Sequence, residues 1–333
     1  MAIQDILAME IENLQCAGAG VAISKGERHS FTFGKAHLDY DLDVHAASVF
    51  DIASIGKLFT AVLVFKLVEE NKLSLDTPLI HILSHLPDKW KDVTVRHALT
   101  HSSGLPNYTS TAEYWKETRL DVAKERIIAY VQDMDLSFTP GSKWEYSNTG
   151  FYLLGLLIEA VEKQSFFTVA QTKLFAPLGI QTIYPTNHYT VIPNRAHGYV
   201  RNGNELSPAA YYSPAGTYSA GGFSADLNGF LAFEKALFDG KIISDQSLRQ
   251  LLTPYPFNNT GEIPGMPFQM CHGLFLFQHR GLKVYAHAGS IVGFSSVYMR
   301  VFEEDTAMIM AVNTQDIETP VLHHILYKVY DLQ

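Results

Sequence analysis

The sequence predicts a mixed α/β fold of the α+β kind: an antiparallel sheet built from both chain ends and flanked by helices, plus a mostly helical subdomain. Three observations predict it. Short β-prone runs gather near the N-terminus and again near the C-terminus, whereas the middle carries longer apolar-periodic segments punctuated by Pro and Gly. No repeat, low-complexity tract or long linker divides the chain. Residues 1–333 therefore read as a single catalytic-sized unit, with a sheet subdomain over about 1–53 and 265–333 and a helical subdomain over about 54–264.

Taken in order, Met1 to Gln15 has the spacing of an amphipathic helix. It carries Asp5, Glu10 and Glu12 and no basic segment followed by an apolar core, so it is not expected to be a signal peptide. The expected compartment is the cytoplasm for the chain as it stands, or an exported one if a leader has been removed. Gly18 to Ile23 and Ser30 to Gly34 flank the turn Lys25-Gly26-Glu27 and predict an antiparallel hairpin. Leu58 to Glu70, Val122 to Asp133 and Gly150 to Lys163 predict helices. Lys283 to His287, Phe294 to Phe302 and Ala307 to Asn313 are rich in Val, Ile, Tyr, Phe and Met and predict strands, with Glu303-Glu304-Asp305 as a polar turn. Thr319 to Leu332 closes the chain with helical spacing of Val321, Leu322, Ile325, Leu326 and Val329.

Composition excludes several classes of function. With 333 residues, 47% hydrophobic and 18% charged, the chain can bury a large core. A net charge of −9 without any Lys/Arg cluster argues against nucleic-acid binding, and no window of about 18 apolar residues offers a membrane span. Cys16 and Cys271 fit neither a metal nor a redox spacing and read as free thiols, with one bridge left open. His81 and His85 stand four apart without the Glu of a His-Glu-x-x-His helix, and His323-His324 reads as surface. No metal or organic cofactor is expected.

The chemistry starts at Ser54-Ile55-Gly56-Lys57, at the head of a predicted amphipathic helix. Residues three apart share a helix face, so the Lys57 amine can lie beside the Ser54 hydroxyl. A free serine is a poor nucleophile and needs a base. A helix N-terminus and burial both disfavour a charged lysine, and so favour the amine. Taken alone, the motif is equally an N-cap serine followed by a solvated lysine. Two further segments supply what the pair lacks. Tyr146-Ser147-Asn148 precedes a helix and offers a proton shuttle and an amide. His287-Ala288-Gly289-Ser290 closes a predicted strand, where backbone N–H groups near Ser290 can hold an oxyanion. Each has a plainer reading too: a half-buried aromatic, a turn asparagine, a strand-end histidine.

These motifs, in this order, resemble the serine β-lactamase and penicillin-recognising superfamily, in its class C branch with the D-alanyl-D-alanine carboxypeptidases and related esterases. That group joins Ser-x-x-Lys to Ser-Asp-Asn and Lys-Thr-Gly, and its class C relatives carry Tyr-x-Asn in the second place. The resemblance extends through Thr94 to Pro106, Phe138 to Gly155, Leu174 to Ile180 and Ala220 to Leu227, and covers about residues 18 to 315. It implies a β-lactamase/transpeptidase-like fold with Ser54 as the acylated nucleophile, Lys57 as its activating amine and Tyr146 as proton shuttle. Asn148 would bond a substrate amide, and the backbone N–H groups of Ser54 and Ser290 would form the oxyanion hole beside Gly289. His287 would replace the lysine of Lys-Thr-Gly, so a fixed positive charge gives way to a group only partly charged at neutral pH.

The reading that results is a serine hydrolase acting through an acyl-enzyme on a small molecule or short peptide. A D-alanyl-D-alanine carboxypeptidase-like peptidase or an esterase, with at most weak β-lactamase activity, is expected; the alternative is a catalytically silent binding or scaffolding protein on the same fold. No Gly-x-Ser-x-Gly elbow supports an α/β-hydrolase. Substrate walls are expected from Thr109 to Glu117, Thr186 to Pro214 and Pro254 to Phe268. Tyr211, Tyr212 and Tyr218 are candidates either for the cleft or for packing beneath it. The oligomeric state is not set by the sequence.

Overall fold

In the strands Phe294–Val301 and Thr306–Val312 every residue is buried. This is why their sequences read as unbroken apolar runs: the sheet is covered on both faces. The computed structural model describes residues 2–203, 205–256, 262–263 and 266–332. The chain opens with helix α1 (Ile3–Leu14), strands β1 (Gly18–Lys25), β2 (Glu27–His37) and β3 (Leu42–Asp43), and then helix α2 (Lys57–Glu69). Helices α3 (Asn148–Glu162) and α4 (Leu227–Phe238) belong to the middle of the chain. Strands β4 (Gln269–Met270), β5 (Phe275–His279), β6 (Leu282–Ile291), β7 (Phe294–Val301) and β8 (Thr306–Val312) and helix α5 (Thr319–Tyr330) complete it.

The eight strands form one antiparallel sheet in the order β4-β5-β6-β7-β8-β1-β2-β3. The two chain ends meet at its centre, where Val21 faces Met310 and Ala19 faces Val312. Both edge strands are only two residues long, which limits the backbone left open to another chain. Gly26 turns β1 into β2 with φ 69°, a left-handed value that glycine adopts without a Cβ penalty.

Alternation along the central strands separates two cores. Val21, Ile23, Met308, Met310 and Val312 pack with Leu7, Ile11, Leu322, Ile325 and Val329 of the terminal helices. Ala22, Ile309 and Ala311 point the other way, into a larger core with Leu227, Phe230 and the helices of the middle segment. Helix α2 runs through that second core. The amphipathic expectation for it is overturned: ten of its residues, from Lys57 to Leu67, are buried, because it is packed on all sides. Phe59 alone meets Phe175, Phe223 and Phe233 at ring separations of 5.1, 4.9 and 4.7 Å.

Three other expectations need correction. Val122 to Asp133 holds only one short helix, Arg126–Ala129, because the flanking backbone closes i→i−3 turn bonds, from Arg126 N–H to Ala123 O, Ile127 N–H to Lys124 O and Val131 N–H to Ile128 O, and the Tyr152 hydroxyl also donates to Lys124 O at 2.9 Å. His323 is not on the surface; it is buried against Phe277, and only His324 is exposed. The strand through His287 does not close there but continues to Ile291. His81 and His85 are exposed, and no cluster of metal-ligating side chains occurs among the described residues. Cys16 and Cys271 are free. No helix among the described residues is long and apolar enough to cross a membrane.

Candidate active site

Strand Val49–Asp51 delivers the chain to a single 3₁₀ turn, Ala53–Gly56, which runs directly into α2. Ala53 holds a left-handed φ of 47°, a conformation that costs a non-glycine residue roughly 1 kcal/mol and occurs where the surroundings impose it. The surroundings are close. A Cβ on Gly221 would lie 2.7 Å from the Ala53 carbonyl carbon, and one on Gly289 would lie 2.3 Å from Ile52 O. Both glycines let neighbouring backbone press against the turn. Beneath the turn, the buried Asp51 carboxylate is held by Arg195 Nη2 at 2.7 Å, the Ser224 hydroxyl at 2.6 Å and the Tyr212 hydroxyl at 3.1 Å. The half-buried Ser54 therefore sits on a braced loop.

Lys57 is fully buried, and its Nζ meets three oxygens: Ser54 Oγ at 3.0 Å, Asn148 Oδ1 at 2.8 Å and Ala220 O at 2.5 Å. Two of these can only accept. The third is a hydroxyl, able to donate to an amine lone pair. Burial pushes the Lys57 pKa well below the ordinary lysine range, which favours that neutral arrangement. The Tyr146 hydroxyl donates to Ser54 Oγ from the other side at 2.9 Å. Burial raises its pKa, opposed by the bond to Ser54, so at rest it is a phenol. Asn148 is the first residue of α3; its Nδ2 donates to Thr109 Oγ1 at 3.2 Å, which fixes the orientation of the amide.

Sequence reasoning missed His101. Its imidazole stacks on Tyr146 with ring centroids 4.4 Å apart, and its Nδ1 accepts the Ser147 N–H at 3.2 Å. Burial, with Lys57 and His287 nearby, holds its pKa well below the usual histidine value. The signal was present in Thr100-His101-Ser102, but a histidine inside a turn-rich segment has no readable partner.

Ser54, Asn148 and Ser290 line a cavity of about 340 Å³ together with Thr109, Trp115, Thr217, Gln315 and Asp316. Tyr146, His287 and Gly289 do not line it. His287 is buried, with its Nδ1 2.6 Å from Ala288 O and its ring beside Phe275. That contact with a carbonyl places the proton on Nδ1. Burial and the nearby Lys57 lower its pKa to about 3, so it is neutral rather than partly charged near pH 7. Of the expected walls, Thr109 to Glu117 contributes. Thr186 to Pro214 instead lines a neighbouring cavity of about 360 Å³ with His37, His188, Tyr211 and Tyr212, which meets the first at Val292. Tyr218 is buried in packing, and much of Pro254 to Phe268 lies outside the described residues.

A buried amine and a phenol converge on one serine hydroxyl at the mouth of a cavity, an arrangement open to nucleophilic acyl chemistry. The comparisons agree with that class. The sequence profile of the Beta-lactamase family matches residues 3–328, so the chain belongs to that family and is a serine hydrolase of the penicillin-binding and β-lactamase superfamily. It is 27% identical over 324 residues to penicillin-binding protein 4* of Bacillus subtilis, covering 92% of this chain and 70% of that protein. The fold is similar to that of D-amino acid amidase from Ochrobactrum anthropi, with TM-score 0.86 and 25% identity over 99% of this chain and 96% of the other. It is likewise similar to a penicillin binding protein from Bacillus halodurans, with TM-score 0.85 and 24% identity over 98% and 99% of the two chains.

Proposed function

We propose that this protein cleaves small amides or esters by two-step acyl transfer through Ser54, within the class C branch of its superfamily. The observation that carries the reading is the Lys57 amine, buried without a carboxylate partner among the described residues and bonded to Ser54 Oγ at 3.0 Å while Tyr146 bonds the same oxygen at 2.9 Å. Lys57 Nζ takes the Ser54 proton as Oγ attacks the substrate carbonyl. Tyr146 then gives its proton to the departing amine or alkoxide and regains one from the Lys57 ammonium. An ester on Ser54 remains. Water attacks that ester with Tyr146 and Lys57 accepting its proton, and Ser54 Oγ leaves protonated. The backbone N–H groups of Ser54 and Ser290 are assigned to the oxyanion.

A peptidase or esterase is favoured over a dedicated β-lactamase. A β-lactam or a D-alanyl-D-alanine terminus presents a carboxylate, and among the described residues neither a Lys nor an Arg lines the cavity, while His287 is neutral and buried. Intact-protein mass spectrometry after treatment with a fluorophosphonate tests the proposal. A single adduct on the wild type that Ser54→Ala removes is expected, and no adduct on folded wild-type protein would refute it.

A further inference from the structure

Among the described residues, the cavity beside Ser54 has one formal charge on its wall, and that charge is negative. Its lining is hydroxyl, amide, aromatic and aliphatic apart from Asp316. This carboxylate is exposed and has no cationic partner among the described residues, although many other carboxylates of the protein do. It is held in place rather than left loose. Asp316 has a left-handed φ of 64°, and Gln315 bridges it to the opposite turn: the Gln315 amide donates to Asp316 Oδ1 at 3.2 Å and accepts the Gly293 N–H at 3.2 Å. Asp316 Oδ2 has no hydrogen-bond partner among the described residues. Trp115, 49% exposed, lines the same cavity; its indole N–H is used on Thr109 O and its ring meets Tyr114 at 5.1 Å, so the ring adds aromatic surface to the wall.

Resting on the acyl-transfer reading above, we infer that Asp316 is a specificity-determining residue that selects substrates carrying a primary or quaternary ammonium group and disfavours those carrying a carboxylate. A wall that carries an anion and, among the described residues, no cation exerts two effects: it attracts an ammonium and repels a carboxylate. Salt screens them.

Two substrate pairs test this, one with the charge on the acyl side and one with it on the leaving group. The first compares D-alanine p-nitroanilide with its N-acetyl and N-succinyl derivatives. The second compares acetylthiocholine with a neutral alkyl thioacetate. In at least one pair kcat/KM is expected to be about 10-fold higher for the cationic member, corresponding to about 1.4 kcal/mol, and the N-succinyl compound is expected to be the poorest of its series. Asp316→Asn should remove that preference, mainly through KM, with kcat/KM falling more for the cationic members than for the neutral ones. Absence of a cationic preference in both pairs, or a preference that survives in Asp316→Asn or is unmoved by raised salt, overturns the inference. Neutral esters and the fluorophosphonate adduct report separately on Ser54, so their failure would instead overturn the acyl-transfer reading.

Discussion

Tyr146 makes its one hydroxyl bond to Ser54 Oγ, so removing that oxygen separates chemistry from structure. Its ring keeps its packing against His101 in a phenylalanine variant. Tyr146→Phe is expected to lower kcat by roughly 10²- to 10⁴-fold, the usual loss when a proton shuttle is removed. The unfolding midpoint should stay close to that of the wild type. Steady-state kinetics alongside thermal melts check both halves. His287 supports a second expectation. A histidine near its ordinary pKa would impose an acid limb on the rate near pH 6.5, but burial lowers this one to about 3. On the proposed mechanism the limb belongs to Lys57: activity should rise with pH as the ammonium loses its proton. His287→Gln retains a side-chain N–H for Ala288 O, and its pH–rate profile for a neutral ester is expected to keep the wild-type acid limb. A limb displaced by a pH unit or more would put the titration on His287.

At the scale of elements, the site depends on how closely β6 approaches the turn that carries Ser54. Gly289 pairs with Ser296 across β6 and β7, and the Ser296 hydroxyl donates to Ile52 O at 2.9 Å. A methyl group at residue 289 would press on both Ile52 O and Ser296 Oγ, at 2.3 and 2.5 Å. Gly289→Ala is expected to cost about 1–3 kcal/mol, as overpacking does, and to slow acylation by shifting Ser54; denaturant unfolding and burst kinetics with a chromogenic ester measure the two. The same elements show what a sequence can carry. The strands and terminal helices were readable because sheet and helix burial impose periods on Val21, Met310, Leu322 and Val329. Ser54, Lys57, Tyr146 and Asn148 were readable as motifs, and the structure brings them within hydrogen-bond reach of one another. Besides His101, two things were not. The all-round burial of α2 depends on partners such as Phe175 and Phe233 far along the chain. The cavity wall at Gln315 and Asp316 depends on a turn whose residues follow no period.

Across the whole molecule, histidine burial couples stability to acid. His101, His272, His287 and His323 are all buried, in both hydrophobic cores and at the site. Burial lowers His272 and His323 to about 4 and His287 to about 3, and it holds His101 well below its ordinary value. In the unfolded chain each would titrate near 6.5. Between that value and the folded pKa the unfolded state binds more protons than the native state, so stability falls as pH falls. The contribution is complete above about pH 6.5 and is lost progressively toward pH 3–4. Each histidine can add up to about 1.4 kcal/mol per pH unit inside the window, so the group can remove several kcal/mol within two pH units. Glu234 acts in the opposite sense, because its burial raises its pKa despite the 2.7 Å contact with Arg300, but it is one group against these four and against His97, His188 and His197, which partial burial also lowers. Urea unfolding at pH 7, 6, 5 and 4 should therefore show a falling free energy, with a slope corresponding to an uptake of more than one proton. His323→Phe should make that slope shallower, since this residue lies in the terminal-helix core and away from Ser54. A slope of one proton or fewer, unchanged in the variant, would mean that these histidines are already charged in the native protein.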